Sequence, residues 1–351
     1  MLIQIALIIC LSIHFASSKV IQVTSTGAKC DGHNDDTDAI QKAFDQAATG
    51  DSVEFPADKT CIHIKALHVK HKNDLTIFGH GPDSSKLDGL DPLNSAIVVE
   101  YATKLTIKDI RLNSPNTKKR GGGIEAAGIN TMHSTDLHIT NVVIHNVGDI
   151  GIVNLNVSRG LIEHVKILTS YADGITMITG CKNFTLQNNY VEYSGDDSFS
   201  CVGYEPNINE NIKVLDCESF NGHSSGLTIG GVINYEARGV KITNATFAPI
   251  RFESSTLWKD GLVRDVLIHE NHIIGGPGNL NLAAVWSDIG YKASEKVTIE
   301  NNVMENIAGP HPIMLTAKQQ LSHVTIRNNK LTTKNKVKST MCIVLEVKPK
   351  N

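Results

Sequence analysis

Aromatic residues make up only 5% of the 351 positions, and neither charge sign is in surplus: 33 Lys and Arg stand against 36 Asp and Glu. So few aromatics are unusual for a β-sandwich or a propeller. Without a basic surplus the chain has little with which to neutralise phosphates, so no nucleic-acid partner is expected. Past the first twenty residues no segment approaches the ~18 consecutive apolar residues of a membrane span, so no membrane partner is expected either. Long Ala/Leu/Glu/Lys helical runs are also missing. No two cysteines lie two to four residues apart, as a zinc site would require. What is plentiful is Val, Ile, Thr, Asn and 28 glycines, a composition of strands and turns. The length allows one large domain or two ordinary ones.

Ile3 to Phe15 is almost wholly apolar and is followed by Ala16-Ser17-Ser18. Residues 1–18 therefore read as a secretory signal peptide, although no Lys or Arg stands near Met1. The mature chain, 19–351, is expected to be secreted, soluble and monomeric. Removing the leader leaves Cys30, Cys61, Cys181, Cys201, Cys217 and Cys342, an even number that suits an oxidising compartment but whose pairing is open. Sequons at Asn156, Asn183 and Asn244 fit the same destination.

The acidic turn Asp35-Asp36-Thr37-Asp38 and the apolar spacing of Ala39 to Phe44 predict one short helix. From Val53 onward a single phrase recurs, an apolar–polar alternation followed by Asn or Asp and a second short apolar run. Leu75-Thr76-Ile77, Leu105-Thr106-Ile107, Leu137-His138-Ile139, Phe184-Thr185-Leu186, Val297-Thr298-Ile299 and Val324-Thr325-Ile326 are six of ten copies, spaced 23 to 32 residues apart. Short strands at this period make a solenoid in which each coil buries its apolar face only against its neighbours. The Leu-rich frame of leucine-rich repeats is absent. The expected fold is therefore all-β, a single-stranded right-handed parallel β-helix of about ten coils, forming one domain over 19–351. The helix is expected to cap its open end, and the pairs Asn188-Asn189, Asn301-Asn302 and Asn328-Asn329 to stack as ladders in one turn.

In a solenoid, residues at one phase of the repeat form a column about 4.8 Å apart. Asp173 lies 11 residues after the marker Ile162, and Asp197 lies 11 after Leu186, with Asp196 beside it. His223 lies 9 after Val214 and Arg251 lies 9 after Ile242. Three carboxylates, an imidazole and a guanidinium thus come from four consecutive coils at nearly one phase. A carboxylate cluster can hydrolyse a glycoside, because crowding raises the pKa of one acid so that it protonates the leaving oxygen while another activates water. Asp173, Asp196, Asp197 and His223 are the catalytic candidates, with Arg251 placed to bind substrate.

At these residues the sequence resembles a known group. Ala172-Asp173-Gly174-Ile175, Gly195-Asp196-Asp197 and Gly222-His223-Ser224-Ser225-Gly226 look like the successive catalytic motifs of the β-helical polysaccharide hydrolases of the pectin-lyase-like fold, notably polygalacturonases. Arg251-Phe252-Glu253 stands where their Arg-Ile-Lys would fall. The resemblance implies an inverting hydrolysis with Asp197 as general acid and Asp173 and Asp196 holding the water. Two departures matter: Ala172 replaces the Thr of Asn-Thr-Asp, and Glu253 replaces the Lys that holds a substrate carboxylate. An anion facing an anion costs on the order of 1 kcal/mol even when well screened, so acidic pectin is disfavoured. The Ala-Asp-Gly form and Asn188-Asn189-Tyr190-Val191 are more similar to α-1,3-glucanases and mycodextranases, which implies a neutral α-glucan.

Glu253, Asp149, Trp258, Lys259 and Trp286 complete the substrate-binding candidates, the tryptophans by stacking on sugar rings. Asp288 is a further groove candidate. No metal and no cofactor are expected. The leading expectation is a secreted, endo-acting, inverting glycoside hydrolase of an α-linked polysaccharide. The alternatives are a polygalacturonase acting on pectin and a noncatalytic carbohydrate-binding β-helix protein.

Overall fold

The structure, a computed structural model, describes residues 18–115, 120–121, 123–277, 282–308, 311–332 and 343–347. The expected signal peptide, apart from Ser18, and Cys342 lie outside these residues. The chain is a single-stranded parallel β-helix of about eleven turns, with two sheets of 11 and 22 strands running along it. One rung more is present than the ten repeats, because the strand Ser52–Glu54 already pairs in parallel with Asn73–Phe78, which holds the first copy of the phrase.

The 11-stranded sheet carries the site. Its strands are β1 (Leu67–Lys70), β2 (Ile97–Glu100), β3 (Ile129–Met132), β4 (Ile152–Leu155), β5 (Ile175–Ile178), β6 (Phe199–Val202), β7 (Leu227–Gly230), β8 (Ile250–Ser254), β9 (Val285–Ile289), β10 (Ile313–Ala317) and β11 (Ile343–Val347). Register is fixed by the alternation of faces. Ile129, Ile152, Ile175, Phe199, Leu227, Ile250, Val285 and Ile313 are mutual partners and are all buried in the coil interior. The intervening positions face outward, where Thr176, Ser200, Thr228, Arg251 and Trp286 form one row across β5 to β9. Narrow coils are filled by Ile, Val and Leu, which accounts for the scarcity of aromatics.

The Asn pairs have a two-part explanation. The first member sits in the left-handed region, with φ of 52° at Asn188, 55° at Asn301 and 56° at Asn328, a conformation Asn adopts at less cost than most residues. The second points inward. Asn271 Nδ2 donates to Asn302 Oδ1 at 3.0 Å, and Asn302 Nδ2 donates to Asn329 Oδ1 at 2.9 Å, each Oδ1 also accepting a peptide N–H. The expected ladder is real but interrupted. Asn189 stands apart from it, bonded to Ile162 O and the Val165 N–H at 2.8 and 3.0 Å, because Cys217 and Val240 occupy the ladder position in the intervening rungs.

The predicted helix is α1 (Thr37–Gln46). Asp35 accepts from the Thr37 N–H at 3.0 Å at its start. The buried Asp36 carboxylate accepts from the N–H groups of Lys29, Cys30 and Ile62, beside a Cys30–Cys61 disulfide. Gln41 reaches β1, the outer strand of its sheet: its Nε2 donates to His68 O and its Oε1 accepts the His68 N–H, both at 2.8 Å. A side chain thereby satisfies backbone groups at the sheet edge. Cys181, Cys201 and Cys217 are buried free thiols.

Candidate functional site

Asp173 and Asp197 each lie two residues before a face strand, β5 and β6 respectively, so successive rungs carry them in one column. The next rungs put Ser225 and Ala248 at that position. The flanking glycines are there for close approach. A Cβ at Gly174 would lie 2.5 Å from Ser198 O, and one at Gly195 would lie 2.3 Å from Tyr171 O. Beneath Asp196 the buried Ser194 hydroxyl bonds Asp196 O and Ser198, both at 3.0 Å, fixing the turn.

Asp173, Asp196 and Asp197 converge, each contributing a carboxylate oxygen to a group within 4.8 Å of one another. That spacing alone would also suit a cation, although two guanidinium groups already face the cluster. Arg251 Nη2 donates to Asp197 Oδ2 at 2.9 Å, and the Ser225 N–H donates to Asp197 Oδ1 at 3.0 Å. Thr176 Oγ1 donates to Asp173 Oδ2 at 2.7 Å, and the Asp197 N–H donates to Asp173 Oδ1 at 3.2 Å. Burial, then the neighbouring Asp197 charge, pushes the Asp173 carboxyl up to about 8, against the pull of the Thr176 hydroxyl. Arg251 stays charged despite burial because Asp197 and Glu253 flank it.

Arg120 escaped the sequence reading. It lies in the long segment between coils and carries no periodic signal. Its Nε donates to Asp149 Oδ1 at 3.1 Å and its Nη1 to Asp196 Oδ2 at 3.3 Å, the second bond reaching 76 residues along the sequence. Asp149 sits three residues before β4, as Asp196 does before β6, so it belongs to the column of Asp196 and not to that of Asp173. Burial raises the Asp149 pKa, with Arg120 opposing. Thr176 and Asp260 are likewise unmarked, and Ser225 is marked only as a member of the Gly222–Gly226 motif, without a role.

His223 departs from expectation. Equal distance from a marker is not equal phase: the face strand begins 13 residues after Val214 but 8 after Ile242, because the latter turn is shorter. His223 consequently falls four residues before β7, whereas Arg251 falls inside β8. The His223 N–H bonds Ser194 O at 2.8 Å, but its exposed ring has no hydrogen bond or ion pair among the described residues.

Of the remaining candidates, Trp286 lies beside Arg251 in the outward row and packs edge-on against Phe247 at 5.6 Å, while the Arg251 guanidinium lies 5.5 Å from the Phe247 ring. Glu253 is buried, with Oε1 3.6 Å from Arg251 Nε. Burial pushes its pKa up to about 7; Arg251 pulls it down, while Asp260, Asp197 and Asp288 raise it further. Trp258 and Lys259 are exposed on the turn after β8, and among the described residues their side chains make no hydrogen bond, ion pair or ring contact.

No family model and no curated protein matches the sequence. Solved structures do. The catalytic unit of a GH87 α-1,3-glucanase from Streptomyces thermodiastaticus superposes with a TM-score of 0.70 at 16% identity, over 94% of this chain and 68% of that one. The A-module of the Azotobacter vinelandii mannuronan C-5 epimerase AlgE4 gives 0.67 at 15%, over 93% and 98%. The Yersinia enterocolitica family 28 exopolygalacturonase gives 0.64 at 15%, over 95% and 79%. At such identities the likeness is one of fold, the pectin-lyase-like β-helix.

Proposed function

We propose that the protein is a secreted glycoside hydrolase acting within an α-linked polysaccharide, with a neutral α-glucan as substrate. The observation that carries this reading is the convergence of Asp173, Asp196 and Asp197 from adjoining rungs under Arg251. Hydrolysis requires one carboxyl that still holds its proton and one that does not. Asp173 is suited to the first role. Its pKa of about 8 keeps it protonated at neutral pH, and the Thr176 hydroxyl can rotate to accept from it. Asp197 is suited to the second, because Arg251 and the Ser225 N–H are obligate donors that occupy both its oxygens. These roles exchange those implied by family resemblance. Asp173 then protonates the glycosidic oxygen, Asp197 and Asp196 orient water, and Arg251 and Arg120 offset the negative charge that collects as the proton leaves.

The three oxygens lie within 4.8 Å, closer than the ~6.5–9.5 Å that leaves room for water between two inverting acids. That spacing is nearer the ~5–5.5 Å of retaining pairs, so an inverting reaction needs its water to one side, beside Asp196 and Asp197, and inversion or retention is read directly from the anomer first released, by proton NMR. Reducing ends liberated from α-1,3-glucan, a dextran-like glucan and polygalacturonic acid test the substrate. A preference for the last would overturn the neutral-glucan reading, and no release from any would overturn the hydrolase.

A further inference from the structure

Arg251 and Glu253 stand two residues apart on β8, so both side chains leave the same face of one strand. The guanidinium is held unevenly. Its Nη2 donates to Asp197 Oδ2 at 2.9 Å and, at a longer 3.4 Å, to Thr228 Oγ1. Its Nε is buried and has no hydrogen-bond partner. Glu253 Oε1 stands 3.6 Å from that nitrogen, too far for a hydrogen bond but near enough for an ion pair. Arg251 therefore lies between two acids and is bonded to one.

Glu253 is enclosed by acids. Its register partner on β9 is Asp288, and its partner on β7 is Gly230, which has no side chain. Asp260 comes up on that side, since a Cβ built on Gly230 would lie 3.3 Å from Asp260 Oδ2. Tyr204 is bridged to Asp260, and its hydroxyl is raised by burial and then by Asp260, Asp173 and Glu253. Asp260 and Glu253 are 1% and 4% exposed, and neither Asp260 oxygen has a hydrogen-bond partner. With Asp197, these are the titratable groups that face Glu253, and Arg251 is the one cation set among them.

Turnover moves charge across Arg251. The water oxygen bonds to the anomeric carbon, one water proton passes to Asp197, and Asp173 gives its own proton to the departing glycosidic oxygen. Asp197 is then neutral, and Arg251 has lost the anion to which it was bonded. A buried cation left without a counter-charge is strongly unfavourable. We infer that Glu253 is a positioning residue that takes over the guanidinium at this step: Nε closes on Oε1 as Asp197 is protonated, so the base accepts its proton without stranding Arg251. The inference rests on the hydrolase reading. Glu253 performs this role as an anion. Burial, opposed by Arg251 and reinforced by Asp260, Asp197 and Asp288, holds its proton up to about 7. Enclosed as it is, Glu253 acts on the reaction through Arg251 and not on the sugar.

Asp197→Asn makes position 197 neutral, as it is after accepting the proton. A crystal structure of this variant, grown in mildly alkaline buffer so that Glu253 is ionised, is expected to show Arg251 Nε closed on Glu253 Oε1 at about 2.9 Å. Kinetics supplies the second measurement. Wild-type kcat is expected to rise as Glu253 ionises through about 7 and to fall past about 8 as Asp173 loses its proton. Glu253→Gln should lower kcat at neutral pH about ten- to a hundredfold, the scale on which activity falls when a partner behind a functional group is removed. Its KM should stay within about twofold of wild type, and its rise in kcat through neutrality should be gone. Glu253→Asp keeps the anion and is expected to restore that rise and most of kcat, which a mere packing role would not require. An Nε to Oε1 distance that stays at 3.6 Å or lengthens in Asp197→Asn overturns the inference. So does a Glu253→Gln enzyme that keeps the wild-type acid limb or loses rate through KM alone, and in either case sugar release leaves the hydrolase reading standing. Closure on Glu253 in a protein whose wild type releases no sugar from any polysaccharide sinks the hydrolase reading and leaves the exchange of partners standing.

Discussion

Two corners of the same solenoid treat buried polar groups in opposite ways. At the Asn271–Asn302–Asn329 corner every carboxamide donates and accepts along the stack, and the rungs bond each other to completion. On the face between β5 and β8 the acids outnumber the cations, some oxygens have no partner, and Asp173 is held far from its ordinary pKa. One repeat therefore supports both a saturated column and an unsaturated one. Saturation stabilises, and what is left unsaturated is available to a substrate.

The comparison can be broken hardest at the acids. Asp173→Asn or Asp197→Asn is expected to lower kcat by about a thousandfold or more, within the range for losing a general acid or base, with circular dichroism unchanged. Asp173 carries a second signature. Its native pKa lies above the ordinary carboxyl value, so the native state binds its proton more tightly than the unfolded chain, and stability falls as pH rises from the ordinary carboxyl range through about 8. Activity should fall only at the upper end of that range, as pH passes about 8 and the acid loses its proton, and Asp173→Asn should raise the melting temperature at pH 8 relative to wild type; a lower value would contradict the burial argument.

At the saturated corner the effect is reversed in kind. Asn302→Leu leaves the Asn271 peptide N–H and one Asn271 Nδ2 proton without their acceptor, takes the side-chain donor from Ile268 O and one of two donors from Asn329 Oδ1, and is expected to cost about 3 kcal/mol in urea melts, several weakened or unpaired groups at ~1 kcal/mol or more each, while kcat of the folded fraction stays at the wild-type value. A smaller change is expected from Arg120→Ala. Because Arg120 is half exposed and well screened, loss of its bridge should lower kcat/KM roughly tenfold at most, read as a steeper dependence on salt in the wild type than in the variant. The smallest effect is none: activity should survive exhaustive chelation, and restoration by calcium after its loss would assign the three acids to a metal.

Much of this was legible because a solenoid writes its geometry into its period. Leu-Thr-Ile phrases at 23 to 32 residues reveal the coils, and Gly195-Asp196-Asp197 with Asp173 reveals the column. The limits are equally physical. Turn lengths differ between rungs, so counting from a marker strand placed His223 and Arg251 at one phase when they occupy different ones. The Asn pairs were readable as ladders, but whether Cys217 or Val240 interrupts the stack depends on which rungs are adjacent. Arg120 and Asp260 sit on irregular segments that no period constrains, and they enter the site only when the chain folds back over it. The Cys30–Cys61 pairing likewise depends on two segments brought together beside Asp36.

The column of Asp173, Asp197 and Ser225 has a further consequence for how this molecule can lengthen. Adding or deleting a whole rung displaces everything beyond it by one strand spacing, ~4.8 Å. Between β1 and β3, or beyond β10, such a step would leave every carboxylate pair as it stands. Between β6 and β7 it would leave Asp173 beside Asp197 yet carry Ser225 and Arg251 out of hydrogen-bonding reach of Asp197. The four rungs of the site are therefore the indivisible unit of the protein, and duplication of coils is free to act only on the lengths to either side of it.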